Sequence, residues 1–473
     1  MFGFKIRNLY LVAFLLSLVF LWTRFYKIET SLLFFNDIGR DFLVLFKWQE
    51  TGKPPLLGPQ TSALPFNQSA IYFYLLYPFY LLSEHSPYAS LIAYSAFYLF
   101  SFALGLYFLR FYPRLEKSLL LVFLLITVHP QYIIQGRFIW NPSFVTPCIL
   151  IAFYSLAVYL VQKKPNKILP MISAYFIALA TAFSYSVVPT LLAFLLLLLL
   201  RRRQVFLPYL LYLGTSLFLV NLPTIFFELR HGFLLSKMML FGEKIDQGHN
   251  FFLDRLKSLS EFAFATTPSW VILLLLFIAL FAFLSHKREK NLFLEHSSWL
   301  FLLTLILTLL MPVSFHSHYV FGLLPLFFLI ISFLRARYIY LVAVFLYIVF
   351  LQTALQANYF APARHSLVEL QSCAESFCAK NQENLYISNQ SSHHPYHNAM
   401  EFQYLMSEAG CQVKDINTEN GQADIMAVVL DDDIYEHGKT AYYELTLFGE
   451  SKETSRFKCS ETLEIVMLEK YRN

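Results

Sequence analysis

The sequence predicts a polytopic α-helical membrane protein of about eleven spans, followed by a small extracytoplasmic α/β domain. Three observations predict it. The chain of 473 residues is 57% hydrophobic and only 14% charged, against about 25% charged in soluble domains. Lys and Arg gather in short clusters between apolar runs, as in membrane topology signals. From about residue 356 the apolar runs stop and the composition turns polar.

About twenty apolar residues cross a bilayer as a helix. The candidate spans are Leu9–Trp22, Ala89–Leu109, Ser118–Ile134, Phe144–Val161, Ile168–Ser184, Val187–Leu200, Val205–Leu222, Trp270–Leu284, Trp299–Met311, Val320–Leu334 and Ile339–Leu355. Basic clusters stand at Lys5/Arg7, Arg110/Arg114/Lys117, Lys163/Lys164/Lys167, Arg201 to Arg203, Lys287/Arg288/Lys290 and Arg335/Arg337. With eleven spans all of them fall on one side, which the positive-inside rule makes cytoplasmic. The N-terminus is then cytoplasmic and the C-terminal domain extracytoplasmic, in the cell membrane. The first apolar run lacks a small-residue cleavage site and reads as an uncleaved signal anchor.

This count requires that Ala70–Leu82 does not cross. It is short, holds Pro78, and carries Tyr72, Tyr74, Tyr77 and Tyr80, which suits an interfacial helix. Residues 1–355 form the transmembrane module, with a first long outer loop at 23–69 and a second at 223–268. Residues 356–473 form the α/β domain, with strands expected at Asn384–Ser388, Asp424–Leu430 and Thr462–Leu468. Helices are expected near Ser366–Lys380 and His397–Ala409. Four of the five cysteines lie in this domain. No CxxC pair occurs, so one or two disulfides fit better than a zinc ribbon.

The residues suited to chemistry gather in the outer loops. Phe34 to Asp41 reads Phe-Phe-Asn-Asp-Ile-Gly-Arg-Asp. Asp37 and Asp41 are four apart and share one face of a helix, which Asn36 would cap. Ile38, Phe42, Leu45 and Phe46 form an apolar side, as in a helix lying in the membrane plane. Acids also favour a first helical turn, and Arg40 alone would solvate them. Lys53-Pro54-Pro55 follows, a stiff turn with a cation. Arg137 is nearly the only cation of the short outer loops, and it suits a headgroup anchor or a site residue. Arg230 and His231 cluster with Glu228 where a span emerges, and a guanidinium fork suits a phosphate. His316, His318 and Tyr319 sit at the outer end of another span. The two histidines are a weak metal signal, and no metal or cofactor is expected. The +5 formal charge is spent on topology, not on nucleic acid.

An acid after the first span, Lys53-Pro54-Pro55, the aromatic run Ile71-Tyr72-Phe73-Tyr74, many spans and a C-terminal domain together resemble the GT-C glycosyltransferases. The resemblance is to the group of protein O-mannosyltransferases and lipid A aminoarabinose transferases. The protein mannosyltransferases carry Asp followed directly by Glu. Here Ile38 follows Asp37, so the resemblance does not single out a protein acceptor. It implies inverting transfer of a hexosyl or pentosyl group from a polyprenyl-phosphate donor to a hydroxyl of a cell-envelope glycan, lipid or protein. Asp37 matches the catalytic base, with Asp41 as second acid. The phosphate contacts would then come from Lys53, Arg137, Arg230, His231, His316, His318 and Tyr319. A transporter or flippase of lipid-linked sugars is the alternative. It would place ionisable groups at mid-membrane, whereas these spans are nearly free of acids.

Overall fold

The computed structural model describes residues 6–61, 67–162, 166–241, 255, 292–311, 316–334, 360–390, 399–431 and 443–471. The expected spans Trp270–Leu284 and Ile339–Leu355 lie outside them. By contact the chain divides into two units, one of residues 1–26 with 55–359, the other of 27–54 with 360–473.

The first unit is helical. Four of its helices are long and apolar enough to cross a membrane: Ala89–Phe108, Asn141–Val161, Arg203–Val220 and Leu292–Leu309. Shorter apolar helices cover Leu9–Phe25, Ile168–Phe183, Tyr185–Arg201 and Val320–Phe333, each at an expected span. The Val145–Val161 helix is the axis of the unit. It is apolar all round and buried almost throughout, as a central helix should be. It packs against the helices Ala89–Phe108, Ile168–Phe183 and Val320–Phe333. Arg203–Val220 lies at the other extreme, with few buried residues, which suits a lipid-facing position.

Hydroxyl pairs cross-link these apolar helices. Ser118 bonds Ser332 at 2.6 Å and Tyr154 at 3.1 Å. Tyr132 bonds Thr146 and Ser173 bonds Tyr209, both at 3.0 Å. Interhelical bonds of this kind contribute about 0.6 kcal/mol each in membrane bundles. Arg201, in one of the basic clusters, pairs with Glu295 of the Leu292–Leu309 helix.

Three connections differ from expectation in detail. The span expected at Ser118–Ile134 is two helices, Glu116–Val128 and Pro130–Gln135. Pro130 has no N–H to continue the first ladder and instead starts the second helix. The second long loop opens with two helices, Leu222–Arg230 and Leu234–Phe241. The Tyr-rich segment forms the 12-residue helix Ile71–Leu82, about 18 Å long and short of a bilayer core. Before it, β1 (Leu57–Gln60) and β2 (Asn67–Ser69) pair antiparallel. That ribbon is pinned by Ser69 Oγ donating to the Val220 carbonyl at 2.6 Å and Tyr185 Oη to the Asn67 carbonyl at 3.3 Å.

The second unit is α/β. Five strands, β3 (Asn384–Gln390), β4 (Gln412–Lys414), β5 (Ile425–Asp431), β6 (Ser451–Lys458) and β7 (Leu463–Lys470), order as β4-β3-β5-β7-β6. The β4-β3-β5 part is parallel and β7 and β6 are antiparallel. The expected strands are β3, β5 and β7. Short β4 and charged, exposed β6 lack the apolar runs that reveal strands in a sequence. Met426, Val428, Leu430, Val466, Leu468, Tyr386 and Phe448 form a fully buried core on one face. Disulfides join Cys373 to Cys459 and Cys378 to Cys411. They tie the Leu367–Cys378 helix to the end of β6 and to the segment entering β4.

Residues 27–54, assigned by sequence to the transmembrane module, pack into this second unit. The reason is local. The Asn36–Thr51 helix buries Ile38, Phe42, Leu43 and Leu45 and packs along the Met400–Glu408 helix. Phe34 and Phe42 meet Tyr404 at 5.8 and 5.4 Å between ring centroids. The apolar stripe read as membrane-facing is therefore covered by protein.

Candidate functional site

The acidic motif sits on the first turn of the Asn36–Thr51 helix. The helix starts one residue earlier than expected, so Asn36 is its first residue and not its cap. Extended Phe35 precedes it, and its carbonyl accepts from Ile38 N at 2.8 Å. Gly39 is dictated by the packing. A Cβ there would stand 2.2 Å from Glu401 N and 2.4 Å from Glu401 Cα. The helix thus rests on the backbone of the Met400–Glu408 helix, and only glycine permits that approach.

This approach fixes the carboxylates on either side of Gly39. Arg40 Nη1 donates to Asp37 Oδ1 at 2.8 Å, while its Nη2 and Nε donate to Asp41 Oδ1 at 2.8 and 3.0 Å. One guanidinium therefore holds both acids. Their surroundings differ. The Asp41 side chain is fully buried, whereas Asp37 is 40% exposed. The second oxygen of Asp37 has no partner among the described residues. Chemically, Asp41 anchors Arg40, Arg40 aims Asp37, and Asp37 presents a free carboxylate oxygen able to take a proton.

Lys53 follows the other end of the same helix. Sixteen helical residues span about 24 Å, so Lys53 does not stand beside Asp37. Its side chain is exposed.

The remaining candidates lie in the first unit. Arg137 is buried, and its guanidinium donates to the carbonyls of Thr23, Ile133 and Tyr26 at 3.2, 3.0 and 3.0 Å. Burial, with Arg24 nearby, lowers its pKa to about 10. Three of its donors serve backbone carbonyls at helix ends, as a helix clamp does. Its counterpart, Arg24, was not singled out by sequence, because a lone Arg after an apolar run looks like any span terminus. It is fully buried and donates to the Ile126 and Thr127 carbonyls.

Arg230 and His231 are exposed at the end of the Leu222–Arg230 helix. His231 stacks on Phe227 at 4.1 Å, and its Nδ1 lies 2.9 Å from the Phe227 carbonyl. Arg230 has no side-chain partner among the described residues. Glu228 does not pair with it. The carboxylate instead accepts from Leu235 N at 2.8 Å and Ser236 N at 2.9 Å, capping the Leu234–Phe241 helix.

His316, His318 and Tyr319 come together with Trp140. Ring centroids are 5.7 Å apart for His316 and His318, 5.2 Å for Trp140 and His318, and 4.8 Å for His318 and Tyr319. Burial, then the neighbouring His316, depresses His318 to about 3. Burial lowers His316 as well, so both rings favour the neutral imidazole, which offers one N–H without a charge. Burial raises Tyr319 to about 12, against a smaller opposing effect of Arg255. Arg255, also missed by sequence, donates to the Leu309 carbonyl at 2.9 Å and to that of Met311. Among the described residues no cluster of three or more His, Cys, Asp or Glu could hold a metal.

No protein-family model and no curated protein matches the sequence. Among solved structures, two of ArnT from Cupriavidus metallidurans match the fold along nearly the whole chain. The one bound to undecaprenyl phosphate superposes with a TM-score of 0.63 at 11% identity, and the apo form with 0.62 at 12%. Each match covers 96% of this chain and 97% of the other. The chain has the GT-C fold of ArnT. Together with the apolar helices, that GT-C fold makes it an integral membrane protein. At such low identity the likeness concerns the fold and carries no residue roles.

Proposed function

We propose that the chain is an inverting glycosyltransferase. It moves a sugar from a polyprenyl-phosphate donor to a hydroxyl of a cell-envelope glycan, lipid or protein, with Asp37 as general base. The observation that carries this reading is the Asp37–Arg40–Asp41 clamp, with one free carboxylate oxygen, in a chain folded like a protein bound to undecaprenyl phosphate.

The chemistry balances without a metal. The acceptor hydroxyl gives its proton to Asp37 as its oxygen bonds to the anomeric carbon. The bond from that carbon to the phosphate oxygen breaks on the opposite side, and lipid phosphate leaves as an anion. An anionic leaving group needs cations and N–H donors, not a proton. Arg230, whose side chain has no partner among the described residues, is the guanidinium candidate. Neutral His316 and His318 supply uncharged N–H groups, with Tyr319 beside them. Lys53 and His231 are exposed cation candidates. Arg137 is the most enclosed of these cation candidates, with three of its N–H groups given to carbonyls.

The two disulfides support an extracytoplasmic C-terminal domain, since such bonds persist in oxidising compartments. The basic clusters support the matching arrangement of about eleven spans with a cytoplasmic N-terminus.

The test is Asp37→Asn, assayed for sugar transfer from a polyprenyl-phosphate donor in liposomes. Loss of a general base costs about 10²–10⁴-fold in rate. Unchanged transfer by a folded variant removes Asp37 as the base.

A further inference from the structure

The sheet of the second unit has a ligand-binding end in its topology. From β3 the chain passes through the Met400–Glu408 helix to β4 on one side, while β5 lies on the other side of β3 and leads on to β6 and β7. The connections leaving β3 and β5 diverge. Open α/β sheets bind ligands at such a switch point, outside the carboxyl ends of the strands.

Both strand ends are polar here. β3 finishes with Asn389 and Gln390, and β5 with Asp431, all buried. Arg364 Nε donates to Asp431 Oδ1 at 2.7 Å, and His365 Nε2 lies 2.8 Å from the same oxygen. Residues 27–54 attach at this end by two separate contacts. Ala363 N, just before Arg364, donates to the Thr30 carbonyl at 2.7 Å. Gly39 rests on the first turn of the Met400–Glu408 helix, the helix that follows the carboxyl end of β3. Asp37, two residues before Gly39, is thereby carried to the ligand-binding end of the sheet.

We propose that the carboxyl ends of β3 and β5, through Asn389, Gln390 and the Asp431–Arg364–His365 group, form the binding site of a carbohydrate acceptor. This rests on the transferase reading and names its acceptor class. Carboxamides both donate and accept, as sugar hydroxyls do. A carboxylate held by a guanidinium and an imidazole adds a fixed acceptor among donors. An acyl chain would call for an apolar surface, and a nucleic acid for cations in excess.

The experiment uses the full chain in nanodiscs, without donor, and a panel of defined neutral and acidic oligosaccharides observed by saturation-transfer NMR. At least one oligosaccharide binds the wild type. Asn389→Ala and Gln390→Ala weaken that binding tenfold or more, and the control Arg456→Ala on exposed β6 does not. Because both residues are buried, the near-isosteric and uncharged Gln390→Met is measured as well, with thermal midpoints on the same preparation, and it weakens binding by more than any shift in midpoint accounts for. In turnover the acceptor KM rises while the donor KM stays. Equal binding by wild type and variants, or no binding by any oligosaccharide, overturns the proposal. Binding lost in these variants while Asp37→Asn keeps full transfer retains the acceptor site and removes the base.

Discussion

Arg24 caps the end of the Glu116–Val128 helix, and Arg137 caps the end of Arg24's own helix. Arg24, in the last turn of the Ile6–Phe25 helix, donates to Ile126 and Thr127 at the end of the Glu116–Val128 helix, at 2.9 and 3.0 Å. That second helix leads to Arg137, which donates back to Thr23 and Tyr26 at the end of the first. Helix ends leave four carbonyls without partners, and inside an apolar bundle water does not reach them. Gly136 leaves room for the exchange, since a Cβ there would lie 2.7 Å from Arg24 Cδ.

Arg24→Met therefore strands two buried carbonyls. An unmet buried acceptor costs about 1–3 kcal/mol, so the denaturation midpoint in detergent falls clearly. Gly136→Ala produces a smaller fall, because it displaces a flexible side chain. A wild-type midpoint in Arg24→Met would show that the exchanged caps contribute nothing to stability.

Gly39→Ala tests the seating of the acidic helix. The new methyl would overlap the Glu401 backbone, which cannot give way as a side chain can. Overpacking of this kind costs about 1–3 kcal/mol. It also shifts Asp37 and Arg40, so transfer drops more than stability alone explains. Thermal unfolding and initial transfer rates on one preparation separate the two effects, and full activity would mean that the close approach is not needed for the chemistry.

The Asp431 group makes the second unit pH-dependent at both ends. Its hydrogen bond to Asp431, outweighing burial, raises the His365 pKa. A raised histidine contributes stability that is full below its unfolded value, about 6.5, and is lost as pH rises through the folded value. Burial alone would raise the Asp431 carboxyl, but His365 and Arg364 outweigh it and hold it at about 2. That contribution is full above the unfolded value of about 3.9 and is lost as pH falls toward 2. His365→Gln should abolish the alkaline loss and shrink the acid loss to the part that Arg364 sustains, read from thermal midpoints between pH 3 and 9. An alkaline loss that persists in the variant would place its origin elsewhere.

How much was legible in the sequence follows from the range of each interaction. Hydrophobic runs are local, so the apolar helices Leu9–Phe25, Ala89–Phe108, Ile168–Phe183 and Val320–Phe333 could be read directly, as could apolar β3, β5 and β7. Exposed β6, with Lys452, Glu453 and Arg456, shows no such run. The Asp37–Arg40–Asp41 clamp was visible because its members are within one turn of each other. Arg24 and Arg137 looked alike as span-end cations. Their exchange across more than a hundred residues was not visible, nor was the choice among the disulfide pairings that the cysteines allow.

The sequence by itself determined that this is a membrane protein with an acidic motif after its first span and a cysteine-bearing α/β domain at its end. Composition and period are properties of short stretches and survive without a fold. Only the tertiary structure decided that residues 27–54 belong with that domain. The apolar face of the Asn36–Thr51 helix would fit lipid or protein equally well by hydrophobicity. What separates the two is the shape of its partner: a groove that accepts Gly39 against the Glu401 backbone and Phe42 against Tyr404, supplied by residues more than three hundred positions away.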